Sequence, residues 1–375
     1  MTVGSKPPSR SKSKTNPRIS PYEFTSRNRH KDAPPASDKG DYTGNEGQTG
    51  CSTFPRTIYA GTGRILVKEM IVTPANASPS LLRERFRRDG YLYIPQLISR
   101  EQVCLARKVI VQDLAKTGFL EPGCDIMEAV IKKSVNTDES PSLLNRQDLA
   151  NSNSVKEVLE HSALYRIFEI LLCDEVQKVL QQDRHDEDSA AIRHPTEQIQ
   201  SHLYKWLRAV GRNLYTGPHV DRVYFPSYPS VMTAWIPLGD ITTSLGSLVV
   251  APGSHRSPKF SRLRATYGNS RVGKDGTQSG WIADNPEEIH VKFGMVADDI
   301  QWASADVQMG DVCILGLDTL HMSSNNVVQP ARWRISCDTR WFRRESARCS
   351  KRSAVDIITQ PTGDEGSSSK AATGL

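Results

Sequence analysis

Two histidines and one aspartate in this sequence have the side-chain types and the spacing of a metal site. His219 and Asp221 stand two positions apart, and residues i and i+2 of an extended strand point to the same face. His321 follows much later, within a short polar turn predicted over residues 318–325. Two imidazoles and one carboxylate that leave coordination positions open form the ligand set that suits Fe(II) and reactions with O2.

Each part of this pattern also has a purely structural explanation. A His-x-Asp triplet occurs by chance in many sequences, and His321 could be a core histidine or part of a surface turn. The context favours a metal site, because Gly217 and Pro218 fix the start of the strand and His321 follows the apolar run 309–316. The metal interpretation therefore rests on the combination of the three residues.

Fixed positive charge follows shortly after His321. Residues 331–341 alternate strictly, which predicts a strand with one polar face. That face carries Arg332, Arg334, Ser336, Asp338 and Arg340. Such a face usually meets solvent, but a partly buried network beside a metal is the alternative. There, a guanidinium could bind the far carboxylate of 2-oxoglutarate through two parallel hydrogen bonds, while the other end of 2-oxoglutarate and O2 occupy the open iron positions.

The elements that would position these residues change in character along the chain. Helices are predicted from Ser78, from the capping-box pattern at residues 99–102, and as one continuous helix over 154–171. From Tyr204 onward, short apolar and aromatic runs alternate with Gly, Pro, Asn and Asp, which is typical of an all-β sandwich or barrel. The strands are predicted over residues 90–95, 204–210, 231–237, 247–251, 307–314 and 333–341, and residues 65–72 are either a strand or a short apolar arm.

The polar ends of the chain predict one folded domain between two tails. Residues 1–62 are rich in Ser, Pro, Lys, Arg and Gly, and such a segment buries too little apolar surface to offset its ordering entropy. The domain is predicted over residues 63–345, and a second polar tail over 346–375. Within the domain, residues 256–305 contain a long Gly- and charge-rich insertion over residues 264–281, which is expected to cross the mouth of the barrel.

Composition limits the cellular context and the partners. The chain has 375 residues, a net charge of +6 and seven cysteines without close pairs, which favours a reducing compartment over a disulfide framework. Residues 1–6 lack the apolar core of a signal peptide, and no apolar run is long enough to cross a membrane. We therefore expect a soluble cytoplasmic protein without a membrane partner. The basic residues are spread rather than massed, which argues against a nucleic-acid partner. The oligomeric state is left open.

Several motifs, in order, resemble those of the phytanoyl-CoA dioxygenase family, a branch of the Fe(II)/2-oxoglutarate oxygenases. The resemblance covers roughly residues 80–345. The motifs are FRRDGYLYIP at 86–95, the 219–221 triplet, WIPLGD at 235–240, GSLVVAPGSH at 246–255, Gly310-Asp311, His321 and the closing Arg/Ser/Asp/Arg strand. The resemblance implies a mainly β fold with flanking helices, built on a double-stranded β-helix, or jelly-roll, core.

The resemblance also implies roles for individual residues. His219, Asp221 and His321 would be the iron ligands. The family spacing of eleven residues beyond the second histidine points to Arg332 as the 2-oxoglutarate clamp, and the Arg-x-Ser-x-Asp-x-Arg pattern points to Arg334. Both are retained, with a slight preference for Arg332. Ser323 matches a cosubstrate-contact position, and Trp235 resembles a wall of the same pocket, although plain core packing explains Trp235 equally well.

The resemblance implies an enzyme that uses Fe(II), 2-oxoglutarate and O2 to hydroxylate a small organic substrate, such as an acyl thioester or a secondary metabolite. Asp221 argues against halogenating relatives, which lack this carboxylate. The substrate itself is not implied, because residues 183–200 and 256–305 lie outside the recognisable family core. Two alternatives remain: a jelly-roll protein that binds metal and 2-oxoglutarate without turnover, and an oxygenase that acts on a macromolecule.

Overall fold

Two curled β-sheets pack face to face and enclose the predicted site residues. The computed structural model describes residues 54–136, 141–172, 199–225, 230–270, 272 and 280–344. Several predicted segments lie outside the described residues. They are most of the two tails, residues 183–198 and the centre of the insertion.

The strands are short and are mostly connected over long sequence distances. They are β1 (Arg56–Ala60), β2 (Gly63–Glu69), β3 (Tyr91–Ile94), β4 (Ile199–Ser201), β5 (Trp206–Val210), β6 (Met232–Pro237), β7 (Leu248–Val250), β8 (Trp302–Ser304), β9 (Val312–Gly316), β10 (His321–Ser323) and β11 (Arg334–Arg343). One sheet has the order β1-β2-β8-β7-β10. The other has the order β3-β9-β6-β11-β4, and β5 also pairs with β11. All described strand pairs are antiparallel except β2 with β8.

The two sheets share an apolar interior. Trp235 of β6 and Leu315 of β9 belong to the same buried cluster as Leu248 of β7 and Ala303 of β8. Because successive side chains of a strand point to opposite faces, each strand sends alternate residues into this interior. The arrangement is the predicted jelly roll, and it directs side chains of both sheets toward one pocket.

Helices from the first half of the chain cover the outer face of the larger sheet. They are α1 (Pro79–Asp89), α2 (Arg100–Lys116), α3 (Gln147–Ala150), α4 (Asn153–Leu159) and α5 (Ser162–Leu172). The short α6 (Ser261–Ala265) and α7 (Ile289–Phe293) instead share a buried cluster with β2, β7 and β8 of the other sheet. Ser78 and Ser99 cap α1 and α2 as the sequence predicts, each accepting a backbone N–H through its hydroxyl. Phe168 of α5 stacks on Trp341 of β11 with ring centroids 4.7 Å apart. In the described part of the chain, no helix combines the length and the apolar character that a membrane span requires.

The prediction of one continuous helix over 154–171 is wrong, because the helical conformation is interrupted between α4 and α5. Glu160 ends α4 with a non-helical backbone, and its carboxylate binds the buried Lys205 ammonium at 2.6 Å. His161 then accepts the backbone N–H of Ala163 through Nδ1. These polar contacts satisfy the backbone and side-chain groups at the break, which a hydrophobic pattern alone does not reveal.

Three short strands also differ from the sequence prediction. Strand β1 lies before residue 63, inside the predicted tail, because Ile58 and Ala60 are buried where it pairs with β2. Strand β8 lies within residues 256–305, where no strand is predicted from the sequence. His321 begins β10 rather than lying in a turn, and its neighbours pair with β7. Each of these strands is stabilised by a partner distant in sequence, so local composition gives little sign of it.

Candidate metal centre

The backbone brings the two predicted histidine ligands side by side. His219 and His321 exchange backbone hydrogen bonds, with N–O distances of 2.9 and 3.0 Å. Their ring centroids lie 4.2 Å apart, and both side chains are buried. This isolated bridge joins the segment before β6 to the first residue of β10, and it explains why residues so distant in sequence meet.

Asp221 completes the cluster by a route that differs from the predicted strand. The chain leaves the extended conformation at Asp221 and forms a 3-10 turn over Asp221–Val223. The carboxylate nevertheless faces the imidazoles: Asp221 Oδ1 lies 3.8 Å from His219 Nε2 and 4.0 Å from His321 Nε2. The possible ligand atoms of the three residues all lie within 4.8 Å of one another.

Backbone carbonyls orient both imidazoles. His219 Nδ1 lies 2.8 Å from the oxygen of Gly217, and His321 Nδ1 lies 2.9 Å from the oxygen of Thr319. Because a carbonyl oxygen only accepts hydrogen bonds, Nδ1 carries the proton and Nε2 presents its lone pair to the centre of the cluster. Burial, and secondly the nearby His321, lower the pKa of His219 to about 3, so this imidazole is neutral as a ligand must be.

The Asp221 carboxylate is buried but remains ionised. The Thr233 hydroxyl donates to Oδ2, and Arg340 Nη2 lies 3.2 Å from Oδ1. Burial alone would raise the pKa of Asp221, but Arg340, the two histidines and the Thr233 hydroxyl together hold that pKa well below its usual range. The donor set of two imidazoles and one carboxylate therefore fits a divalent iron ion.

Two contacts outside the cluster hold the segments 216–222 and 317–323, here called the ligand side. Arg222 and Asp318 form a two-point ion pair between these segments, with Arg222 Nη2 2.6 Å from Asp318 Oδ2. On the other side, the Trp281 ring packs on Gly217, where a Cβ atom would lie 2.4 Å from ring atom Cε3. Only glycine therefore fits at residue 217, whose carbonyl orients His219.

A pocket of about 410 Å³ opens beside the three side chains. One part of its lining, here called the arginine wall, comes from β5 and β11 and consists of Arg208, Arg334, Asp338 and Arg340. The rest of the lining is Thr216, His219, Thr233, Trp235, Leu248, Leu315, His321, Met322 and Ser323. The structure thus brings Trp235, Ser323 and Arg334 to the same pocket as the histidines.

Arg332, the slightly preferred clamp, does not line this pocket. Its Nη1 lies 2.7 Å from Glu128 Oε2, and 38% of its side chain is exposed. Regular pairing of β11 begins only at Arg334, so the alternation that grouped the two arginines on one face does not extend to Arg332. Glu128 lies far away in sequence, and the strand pattern could not reveal this competing partner.

Arg334 is buried in the pocket without a carboxylate partner among the described residues. Its Nη1 donates to Ser336 Oγ at 2.6 Å, while its Nε has no hydrogen-bond partner within the described residues. Burial lowers the pKa of Arg334 to about 10, which leaves the guanidinium protonated at neutral pH. A buried cation of this kind has free donors for an anionic ligand.

Sequence reasoning missed the hydrogen bonds that Thr233 and Arg340 donate to Asp221, and it missed the position of Arg208 in the pocket lining. Thr233 lies in a strand that looks like plain core, and only the fold brings its hydroxyl to Asp221. The alternation of residues 331–341 did place Arg340 on the polar face. Its contact with Asp221 had no local signal, however, because the two residues lie on different segments.

A jelly roll with two histidines, a carboxylate and a buried arginine around one pocket is the architecture of a non-haem iron oxygenase. The sequence model of the family described as phytanoyl-CoA dioxygenase (PhyH) matches residues 86–332, and the chain belongs to this family. It is an Fe(II)- and 2-oxoglutarate-dependent oxygenase, an oxidoreductase.

Similar proteins include one curated enzyme and several solved structures. The chain is 25% identical over 272 residues to 1-deoxypentalenic acid 11-beta-hydroxylase of Streptomyces exfoliatus, which covers 72% of this chain and 82% of that protein. It is 15% identical to the epimerase SnoN in complex with Fe3+, alpha ketoglutarate and nogalamycin RO, with 79% and 95% of the chains covered and a TM-score of 0.43. For EctD from S. alaskensis with 2-oxoglutarate and 5-hydroxyectoine, the identity is 16%, the coverage 74% and 79%, and the TM-score 0.45.

Proposed function

We propose that His219, Asp221 and His321 are the iron ligands of this oxygenase and that it hydroxylates a small organic molecule. The observation that carries the proposal is the convergence of His219 Nε2, His321 Nε2 and Asp221 Oδ1, whose possible ligand atoms lie within 4.8 Å of one another. When bound, iron and 2-oxoglutarate supply the oxidation of a C–H bond by O2, coupled to decarboxylation of the cosubstrate.

Arg334 is the residue that we assign to the far carboxylate of 2-oxoglutarate. Its burial, its position in the pocket lining and its unpartnered Nε within the described residues support this assignment over Arg332, whose charge is matched by Glu128. Ser323 is the second candidate contact. Its Oγ accepts the backbone N–H of Thr216 at 2.8 Å, so its own O–H can donate to the cosubstrate.

Apolar side chains keep the reacting part of the pocket dry. Trp235, Leu248 and Leu315 line it from both sheets and are each less than 6% exposed. Exclusion of water strengthens the interactions of the buried charges with bound anions and protects reactive species from side reactions. We assign Trp235 to the wall beside the cosubstrate rather than to the core alone.

The likeness to a known hydroxylase supports a small substrate. The similar curated enzyme is named for the hydroxylation of an acid, 1-deoxypentalenic acid. We propose a secondary metabolite or a comparable small molecule rather than a macromolecule. The described cysteines, Cys104, Cys124, Cys313 and Cys337, are all unpaired, which supports our placement of the enzyme in the cytoplasm.

Formation of succinate from 2-oxoglutarate tests the proposed function. We expect the Fe(II)-loaded protein to form succinate at a low basal rate that rises when the small-molecule fraction of a cell extract is added. Asp221→Ala should abolish both rates, whereas Asp318→Asn, which alters only the outer ion pair, should retain most of the activity.

Two outcomes would contradict the proposal. A protein that binds metal and 2-oxoglutarate but forms no succinate with any fraction would be a binding protein. Stimulation only by the fraction retained on an ultrafiltration membrane would instead identify a macromolecular substrate. The substrate itself would then be identified from the compounds that the native protein depletes and Asp221→Ala does not.

A further inference from the structure

The charges that line the pocket do not balance. Arg208, Arg334 and Arg340 face it with Asp338, and Asp221 lies behind the histidines, so three cations stand against two carboxylates among the described residues. Loading the site does not change this difference, because the charges of Fe(II) and of doubly ionised 2-oxoglutarate cancel. The loaded pocket therefore keeps one positive charge in excess, whichever arginine binds the cosubstrate.

Contacts in the arginine wall indicate that the excess charge belongs to Arg340. Arg208 has its own counter-ion, with its Nε 3.3 Å from Asp338 Oδ2. Asp338 lies farther from Arg340, at 3.9 Å. The carboxylate nearest to Arg340 is that of Asp221, whose charge is shared with the iron once the metal is bound. Metal binding therefore weakens the pairing of Arg340 and leaves Arg208 paired.

The surroundings of the Arg340 guanidinium leave two of its three nitrogens without an acceptor among the described residues. The rings of Trp206 and Phe225 lie 4.9 and 5.5 Å from its central carbon, contacts in which the aromatic faces stabilise the cation. The side chain is only 5% exposed, yet its Nε and Nη1 have no hydrogen-bond partner within the described residues. Buried guanidinium donors of this kind are costly unless a ligand accepts them.

We infer that Arg340 is a substrate-binding residue and that the substrate carries a carboxylate or a comparable anionic group. A carboxylate oxygen can accept a charge-assisted hydrogen bond from the free Nη1, and the free Nε offers a second donor on a different edge of the guanidinium. The anion would lie beside Asp221 and thus close to the metal ligands, where it would fix the position of the C–H bond that reacts. This inference rests on the proposed function, and it gives the chemical class of the substrate for the same site.

Matched acids and amides test this inference by calorimetry. The probes are cyclohexanecarboxylate, octanoate and adamantane-1-carboxylate, each compared with its primary amide, which has the same shape but no charge. They are titrated without oxygen into protein loaded with Fe(II) and saturated with 2-oxoglutarate. We expect at least one acid to bind about tenfold or more tightly than its amide, because a charged hydrogen-bonded pair is formed only with the acid.

Two variants of the arginine wall should change this acid preference in opposite directions. In Arg340→Gln the affinity ratio of acid to amide should fall to about one, while the amide binds as it does to the native protein. In Asp338→Asn, which removes a negative charge from the same strand, the ratio should rise. If Arg340→Gln does not fold, the acid-to-amide affinity ratio is measured in Asp338→Asn and in Arg340→Lys instead. Arg340→Lys keeps the positive charge, so its ratio should stay above one.

The results that would overturn the inference are also specific. Equal binding of all the acids and their amides, or an acid preference that Arg340→Gln leaves unchanged, would remove Arg340 from substrate binding. Binding of Fe(II) and 2-oxoglutarate is measured in the same samples. Failure at that stage would count against the proposed function, whereas normal loading without acid preference would count against this inference alone.

Discussion

The ligand side and the arginine wall meet at one pocket but satisfy their polar groups in different ways. On the ligand side, each imidazole is held by a carbonyl two residues earlier in its own segment, as with Gly217 for His219. On the arginine wall, Arg334 and Arg340 retain buried N–H groups without acceptors among the described residues. One region is complete except for a cation, and the other retains donors for anions.

The two regions are therefore preorganised for their ligands in different ways. The backbone fixes the metal ligands before the metal arrives, so their geometry depends little on what else is bound. The cations of the arginine wall are fixed by burial and aromatic contacts, and their charge is compensated only when the carboxylates of small molecules enter. We therefore expect changes on the ligand side to affect metal binding and changes on the wall to affect the cosubstrate and the substrate.

The largest effect should come from Asp221→Ala. Removal of the carboxylate takes away one of three ligands, so we expect Fe(II) affinity to fall by more than about 10²-fold, beyond the range typical of residues that only support a ligand. Anaerobic equilibrium titration with Fe(II) measures this change. The matched control is Asp318→Asn in the same region, which should retain affinity within about tenfold; equal losses in both variants would contradict the ligand assignment.

The second effect compares Arg334→Gln with Arg332→Gln. Loss of a charge-assisted pair worth about 1.5–3 kcal/mol should raise the Kd for 2-oxoglutarate by about 10- to 10²-fold in Arg334→Gln. Arg332→Gln removes an ion pair with Glu128 that is partly exposed, so its Kd should change little. Fe(II) affinity should stay close to native in both variants. A larger increase in the Kd for 2-oxoglutarate in Arg332→Gln than in Arg334→Gln would instead identify Arg332 as the residue that binds the far carboxylate.

These two arginines also show where prediction from the sequence reached its limit. Local patterns correctly predicted the caps at Ser78 and Ser99 and most of the long strands, because caps and alternation are local properties. The jelly roll was implied by the resemblance to the family. The predicted membership of the phytanoyl-CoA dioxygenase family is confirmed. The distinction between Arg332 and Arg334 depends on Glu128, whose proximity is created only by the fold.

Other differences have the same origin in distant contacts. Strand β8 and the break at Glu160 depend on partners such as Lys205 that lie far away in sequence. The grouping of His219, Asp221 and His321 was predicted from residue types, whereas their orientation by Gly217 and Thr319 needed coordinates. Their role as iron ligands stays a prediction that the experiments here are designed to test.

A smaller effect should follow from Gly217→Ala on the ligand side. The added Cβ would meet the Trp281 ring at 2.4 Å, so the segment that carries His219 must shift. Overpacking of this kind costs about 1–3 kcal/mol of unfolding free energy, which denaturant titration measures. Gly268→Ala is the control, because its new Cβ would meet its nearest neighbour at an ordinary 3.5 Å. Trp281→Leu in the Gly217→Ala background should restore part of the loss; no recovery would indicate another cause.

The smallest effect should come from Thr233→Val. This nearly isosteric change removes the hydroxyl that donates to Asp221 Oδ2 and leaves that carboxylate held by Arg340. We expect Fe(II) affinity to fall about tenfold, the lower end of the range for groups that support a ligand. Thr233→Ser, which keeps the hydroxyl, should bind Fe(II) nearly as well as the native protein. Equal losses in the two variants would show that packing, not the hydrogen bond, is responsible.

The most direct test of the iron site is an anaerobic crystal structure of the protein with Fe(II) and 2-oxoglutarate. We expect one metal ion bound by His219 Nε2, His321 Nε2 and Asp221, with the far carboxylate of 2-oxoglutarate at Arg334. A metal bound elsewhere, or one that leaves any of these three side chains outside its coordination sphere, would contradict the account.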